Sequence, residues 1–218
     1  MIFRDRAEAG AALADSLAKW RGRNPLVVAI PRGAVPMGSI IARRLDGELD
    51  LVLVRKLHAP GNPEFAIGAV DETGWTYIAE HAAASGALRE YIDGEIAAET
   101  ATIRRRRALY TPGREPVAAT GRVVIVVDDG LATGATMIAA LHAMRARGPQ
   151  WLVCAAPVAS PHALEMVRPY ADEIACLAAP ENFYAVGQFY RDFPQVGDDE
   201  VVALLHPRAA DAAGGRGI

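Results

Sequence analysis

Residues 123–137 read VVIVVDDGLATGATM, and the fold is decided by how that stretch is taken. Five consecutive β-branched residues favour a strand, and an unbroken apolar run favours one buried on both faces. Two aspartates follow at once. Neighbouring residues on a strand face opposite ways, and carboxylates buried without partners cost several kcal/mol each. The pair therefore belongs where the strand ends, at the carboxyl edge of a sheet. Gly130 permits a turn there. Ala132, Thr133, Gly134, Ala135 and Thr136 are small enough to gather backbone N–H groups at the start of a helix, whose first donors have no partner within it. Such a nest suits a phosphate. Taken alone, Asp-Asp-Gly also fits a plain turn with an N-cap. No lysine follows the glycine, so this is not a Walker A loop, and the glycine spacing is not that of a dinucleotide fingerprint.

Outward from that stretch, short apolar runs alternate with helical patterns. LVVAI (26–30) reads as a buried strand, broken by PRGAVPMG and followed by a helix through SIIARRL. DLVLVRK (50–56) is the next strand, and LHAPGNPEF (57–65), with two prolines, a glycine and an asparagine, reads as a mobile loop. AIGAVDETGWTYI gives a strand, a turn at Glu72–Gly74 and a second strand. SGALREYIDGEIAAETATIRRRRALY is mostly helix. After the opening stretch come a helix over 135–147, the strand WLVCAAPV, a helix from Pro161 to about Pro169, and the strand EIACLA. At the N-terminus, Phe3, Ala7, Ala11 or Leu13, Leu17 and Trp20 recur at helical spacing. Strands this oily cannot present a wet face, so the expected class is α/β, a doubly wound, mostly parallel sheet covered on both sides. The ligand crevice is expected between strands 26–30 and 122–127, at a topological switch point.

A chain of 218 residues holds one sizeable core and is short for two domains. With 51% hydrophobic residues, 22% charged and a net charge of −3, it offers no general surface for nucleic acid or membrane. Cys154 and Cys176 each lie in an apolar run and read as buried, reduced thiols, and no spacing resembles a zinc site. MIFRDRAEAG lacks the apolar core of a signal peptide, so a cytoplasmic location is expected.

The stretch 123–137 resembles the motif with which type I phosphoribosyltransferases bind 5-phosphoribosyl 1-diphosphate (PRPP), and DDGLATGATM looks most like the adenine-type branch. The resemblance implies that Asp128 and Asp129 hold the ribose hydroxyls and that Ala132, Thr133, Gly134, Ala135 and Thr136 wrap the 5′-phosphate. PRGAVPMG resembles the family's pyrophosphate loop, giving Arg32 and Gly33 as contacts and a non-proline cis peptide near Pro31–Arg32. VRK resembles its basic dipeptide, so Arg55 and Lys56 become pyrophosphate contacts; as bare residues they also fit solvated charges at a strand end. The 57–70 stretch sits where the family has its flexible catalytic loop. Some purine transferases carry a carboxylate at the position of Ala132. Its absence here makes a 6-oxopurine acceptor less expected and leaves Glu64 as the nearest candidate for moving the proton.

The same resemblance implies a core over about 25–180 in the order 3-2-1-4-5, and a hood built from about 1–24 and 181–208. Together these make one domain over 1–208, with 209–218 a disordered tail. In the hood, Phe183 or Tyr184 either stacks on the acceptor base or fills the hood's own core. Mg²⁺ is the implied cofactor, with Asp128 and Asp129 as ligands directly or through water. The implied partners are PRPP and a nitrogenous base, with no nucleic acid or membrane, and a homodimer is expected. Arg104–Arg107 read as a solvated helix face or as an anion contact across that dimer, and His58 as a loop residue within reach of substrate. The function expected is transfer of a phosphoribosyl group between PRPP and a base, with catalytic roles for Asp128, Asp129 and Glu64. The alternative is a non-catalytic PRPP- or nucleotide-binding regulator of the same fold. A Mg²⁺-dependent phosphohydrolase with Asp128 as nucleophile is disfavoured, since its partnering carboxylate and lysine motifs are not evident.

Overall fold

The computed structural model describes residues 1–206, except for the side chains of Pro63 and Glu64. The expected tail, 209–218, lies outside the described residues. In chain order the elements are α1 (Arg6–Ser16), β1 (Leu26–Ala29), α2 (Val35–Arg44), β2 (Glu48–Leu51), β3 (Val54–Ala59), β4 (Asn62–Asp71), β5 (Thr76–Ile78), α3 (Arg89–Tyr110), β6 (Val123–Val127), α4 (Ala135–Arg145), β7 (Trp151–Val158), α5 (Pro161–Val167), β8 (Glu173–Ala178) and α6 (Asp198–Leu205). No described helix is long and apolar enough to cross a membrane.

Five strands form one parallel sheet in the order β2-β1-β6-β7-β8. Side chains alternate between its two faces, and each face meets its own helices. Val27, Ala29, Ile125 and Val127 pack with Leu13, Leu17, Met37 and Ile41 of the α1–α2 side. Leu26, Val28, Val124 and Val126 pack with Met137, Ile138 and Leu141 of α4. All four residues of β1 and the inner four of β6 are fully buried, which is why both read as unbroken oil in the sequence. The α/β, doubly wound class is as expected.

Four expectations are corrected. Counted along the chain, the sheet order is 2-1-3-4-5 rather than 3-2-1-4-5. The neighbours expected of the first strand hold, but the strand after the second leaves for a separate antiparallel sheet, and β8 supplies the far edge. DLVLVRK is two strands, not one: Val52 still donates to Ala29 O at 3.2 Å, and from Val54 the chain turns into that second sheet, β3-β4-β5. The expected loop over 57–65 is a hairpin, with Ala59 opposite Asn62 and Pro60–Gly61 making the turn. A proline with fixed φ followed by a glycine with positive φ suits that turn, so the residues that suggested a loop serve as its corner. The buried stripe of α1 also differs: Ala9, Gly10, Leu13 and Ala14 are inside, while Ala7 faces solvent.

The two ends of the described chain meet beside the carboxyl edge of the main sheet. Phe3 N donates to Phe189 O at 2.8 Å, and Arg191 N donates to Phe3 O at 2.9 Å. This small cap stands over β1 and β6.

Candidate active site

β1 and β6 are neighbours whose following helices, α2 and α4, go to opposite faces of the sheet. The loops after them therefore part and leave a crevice. A cavity of about 250 Å³ occupies it, walled by Pro31 and Gly33 after β1, by Lys56 of β3, and by the 128–134 segment after β6. The acid pair and the small-residue loop thus share one hollow.

Gly134 caps α4 at φ +81°, the left-handed region that favours glycine, and no side chain caps that helix. The first amides of α4 are left without a side-chain partner at the cavity. From behind, the loop is pinned to the sheet: Ser160 Oγ donates to Ala132 O at 2.7 Å, and Leu131 N donates to Val158 O at 2.9 Å. Ala132, Thr133, Gly134 and Thr136 line the cavity, whereas Ala135 is buried beneath it.

Asp128 accepts from Asp129 N at 2.9 Å through its Oδ1. Burial, and then the neighbouring Asp129, hold the Asp128 carboxyl above the usual carboxylate range. Burial pushes Asp129 the same way, but the Arg6 guanidinium opposes it. Arg6 Nε lies 3.0 Å and its NH2 2.9 Å from Asp129 Oδ2, and the Asp129 carbonyl accepts from Tyr190 OH at 2.6 Å. The Asp129 carboxylate leans on the bare backbone of Gly33: a Cβ there would fall 2.1 Å from Oδ2. The peptide between Pro31 and Arg32 is cis, where the resemblance placed one.

Of the other expected residues, not all come to the cavity. Lys56 reaches the cavity, but Arg55 points to α3 and pairs with Glu99 at 2.6 Å. His58 joins it on that side, because the register slips at Leu57, and its Nδ1 lies 3.0 Å from Glu95. Arg32 lines an adjoining hollow and lies 3.6 Å from Asp198. Phe183 packs on Phe189 with ring centroids 5.0 Å apart, and Tyr184 is 87% exposed; Val186 is the residue of that segment that faces the cavity. Glu64 lies in β4, with its side chain outside the described residues. Within the basic run, Arg107 is engaged with Glu72 at 2.6 Å. Sequence reading missed Arg6, Tyr190 and Val186. Nothing local sets Arg6 apart from Arg4, which pairs with Asp5 in solvent.

A cavity lined by two carboxylates, a lysine and the start of a helix that no side chain caps can hold a phosphorylated polyol and a second anion. Comparison with known proteins agrees with that chemistry. The protein named "Putative phosphoribosyl transferase Rv0571c" of Mycobacterium tuberculosis strain H37Rv is 39% identical over 213 residues, 97% of this chain and 48% of its own length. The protein named "Putative phosphoribosyl transferase MT0597", from strain CDC 1551, matches to the same extent. The chain thus spans about half the length of these curated relatives. The crystal structure of TT1426 from Thermus thermophilus is 47% identical, with a TM-score of 0.78 over 94% of this chain and 98% of that one. Residues 5–194 match the family model described as the phosphoribosyl transferase domain. That match runs from the helix carrying Arg6 to the Phe193 ring beneath its guanidinium, and the chain belongs to the phosphoribosyl transferase family.

Proposed function

We propose that this chain transfers a 5-phosphoribosyl group between PRPP and a nitrogenous base, with release or capture of pyrophosphate. The observation that carries the reading is the shared cavity: Asp128 and Asp129 line it together with Ala132, Thr133, Gly134 and Thr136, and with Gly33 and Lys56. In this reading the loop amides and the Thr133 and Thr136 hydroxyls hold the 5′-phosphate, and the acid pair holds the ribose hydroxyls. The Gly33 backbone and Lys56 receive the pyrophosphate and balance the charge that grows on it as its bond to C1′ breaks. The acceptor nitrogen bonds to C1′, and its proton goes to Glu64. Val186 packs beside the acceptor.

The donors fit Mg²⁺. Asp128 is a carboxylate at the cavity wall beside a second one, and Mg²⁺ needs one or two such groups while keeping several waters. Asp128 would hold it, with Asp129 through water. When bound, the ion would supply positive charge against the leaving pyrophosphate. A cytoplasmic location and a homodimer belong to the same reading; two free thiols support the first.

The test incubates the protein with PRPP, Mg²⁺ and a panel of bases and measures pyrophosphate. Release with at least one base is expected, and its loss in the Asp128→Asn/Asp129→Asn double variant, with the fold retained. Undiminished release by that variant overturns the assignment. One observation favours the regulator alternative: Arg55, expected at the pyrophosphate, is committed to Glu99. Saturable PRPP binding with no release for any base would decide for it.

A further inference from the structure

We propose that Arg6 is a positioning residue for the acid pair, a cation resident in the site that neutralises Asp129, ties the cap to the sugar-binding edge and leaves Asp128 as the carboxylate open to a metal ion. The proposal rests on the reading of Asp128 and Asp129 as the ribose- and metal-binding pair.

Every part of the guanidinium is in use. Nε and NH2 approach Asp129 Oδ2, NH1 donates to Pro194 O at 2.6 Å, and the plane lies over the Phe193 ring, 3.7 Å from its centroid. Phe193 stacks on Tyr190 with centroids 4.7 Å apart, and Tyr190 OH returns to the Asp129 carbonyl. The circuit closes on a single residue, gripping Asp129 by both its carboxylate and its backbone. Only 10% of the Arg6 side chain and 16% of that of Asp129 meet solvent, so water screens the pair weakly. A surface ion pair contributes little and constrains little; this one is enclosed and has three further partners.

Two consequences separate this role from packing. A divalent cation approaching both carboxylates meets a positive charge already on one of them, so the ligand-free chain binds such ions weakly. Removing the charge exposes two adjacent carboxylates, and cation binding then strengthens. Merely structural damage would weaken it instead. At the same time Asp129 and the 190–194 segment lose their shared anchor, so PRPP, which needs Asp129 in place, binds less well.

The experiment titrates Mn²⁺ into wild type, Arg6→Met and Arg6→Gln without PRPP, counting free Mn²⁺ by electron paramagnetic resonance. PRPP affinity is measured on the same samples, and circular dichroism checks folding. Both variants should bind Mn²⁺ at least tenfold more tightly than wild type and PRPP at least tenfold less tightly. Arg6→Lys, which keeps the charge and loses the fork, should stay near wild type for Mn²⁺ and fall between for PRPP. A variant that folds and binds Mn²⁺ no better than wild type overturns the proposal, and Arg6→Gln serves where Arg6→Met does not fold. A wild-type chain without PRPP affinity overturns the underlying reading and the Arg6 role together.

Discussion

Gly33 shows how narrowly this site is fitted. Its missing side chain is the space that the Asp129 carboxylate occupies: an added Cβ would lie 2.1 Å from Oδ2 and 3.4 Å from Arg6 NH2. Neither group can retreat, because Arg6 is held by Pro194 and Phe193. Gly33→Ala should therefore displace the acid, costing about 1–3 kcal/mol of stability by overpacking and at least tenfold in PRPP affinity. Thermal unfolding with calorimetric titration checks both. Unchanged PRPP affinity would mean that Asp129 does not hold the ligand. The same residue explains what could be read in advance. Asp128, Asp129, the loop to Thr136, and Gly33 all belong to contiguous motifs whose spacing is local. Arg6 does not, since its partner is 123 positions away and only the tertiary fold makes the pair.

At the scale of elements, legibility followed the apolar run. β1, β6, β7 and β8 were readable because each is a strand of the main sheet with few polar residues, and the helices between them ended at glycine or proline. The turn of the β3–β4 hairpin was not, because Pro60, Gly61 and Pro63 read as a loop and Arg55 and Lys56 stand side by side in the first arm. Its first arm is held by α3, where Glu95 and Glu99, one helical turn apart, take His58 and Arg55. The tie of α4 to β7 is also ionic. Asp172 accepts from Leu152 N at 2.7 Å and from Arg145 NH1 at 3.0 Å. The Arg145 hydrogen bond, helped by Leu152 N, holds its carboxyl below the usual value. A lowered folded pKa adds stability above the unfolded pKa, and that contribution is lost as pH falls through the folded value. Asp172→Asn should cost about 1 kcal/mol near neutrality. The gap from wild type should close as acid protonates Asp172, as denaturant midpoints across pH would show. A gap that stays constant with pH would mean that the charge contributes nothing.

At the scale of the whole molecule, the site is a property of topology. β1 and β6 pair at the middle of the sheet, and the ligand proposed here would touch the loop after each, the lysine of the second sheet and, through Asp129, the cap of chain ends. A ligand bound to four parts of one molecule opposes their separation, so its binding must appear as global stability. With PRPP and Mg²⁺ at about 100 times the dissociation constant, linkage gives about 2.7 kcal/mol. For a chain of this length that raises the unfolding temperature by about 5–10 °C. Ribose 5-phosphate, which can reach the loop and the acids but not Lys56 and Gly33 together, should give a smaller rise at equal concentration. Pyrophosphate, lacking the sugar, should give a smaller one still. Asp128→Asn should remove most of the PRPP shift while leaving the unliganded unfolding temperature no lower, since it replaces a carboxylate that burial and Asp129 disfavour. Scanning fluorimetry on wild type and variant with the three ligands resolves the series. Equal shifts for PRPP and pyrophosphate, or a PRPP shift that survives Asp128→Asn, would place the ligand away from the acid pair and break the link between the switch point and the sugar.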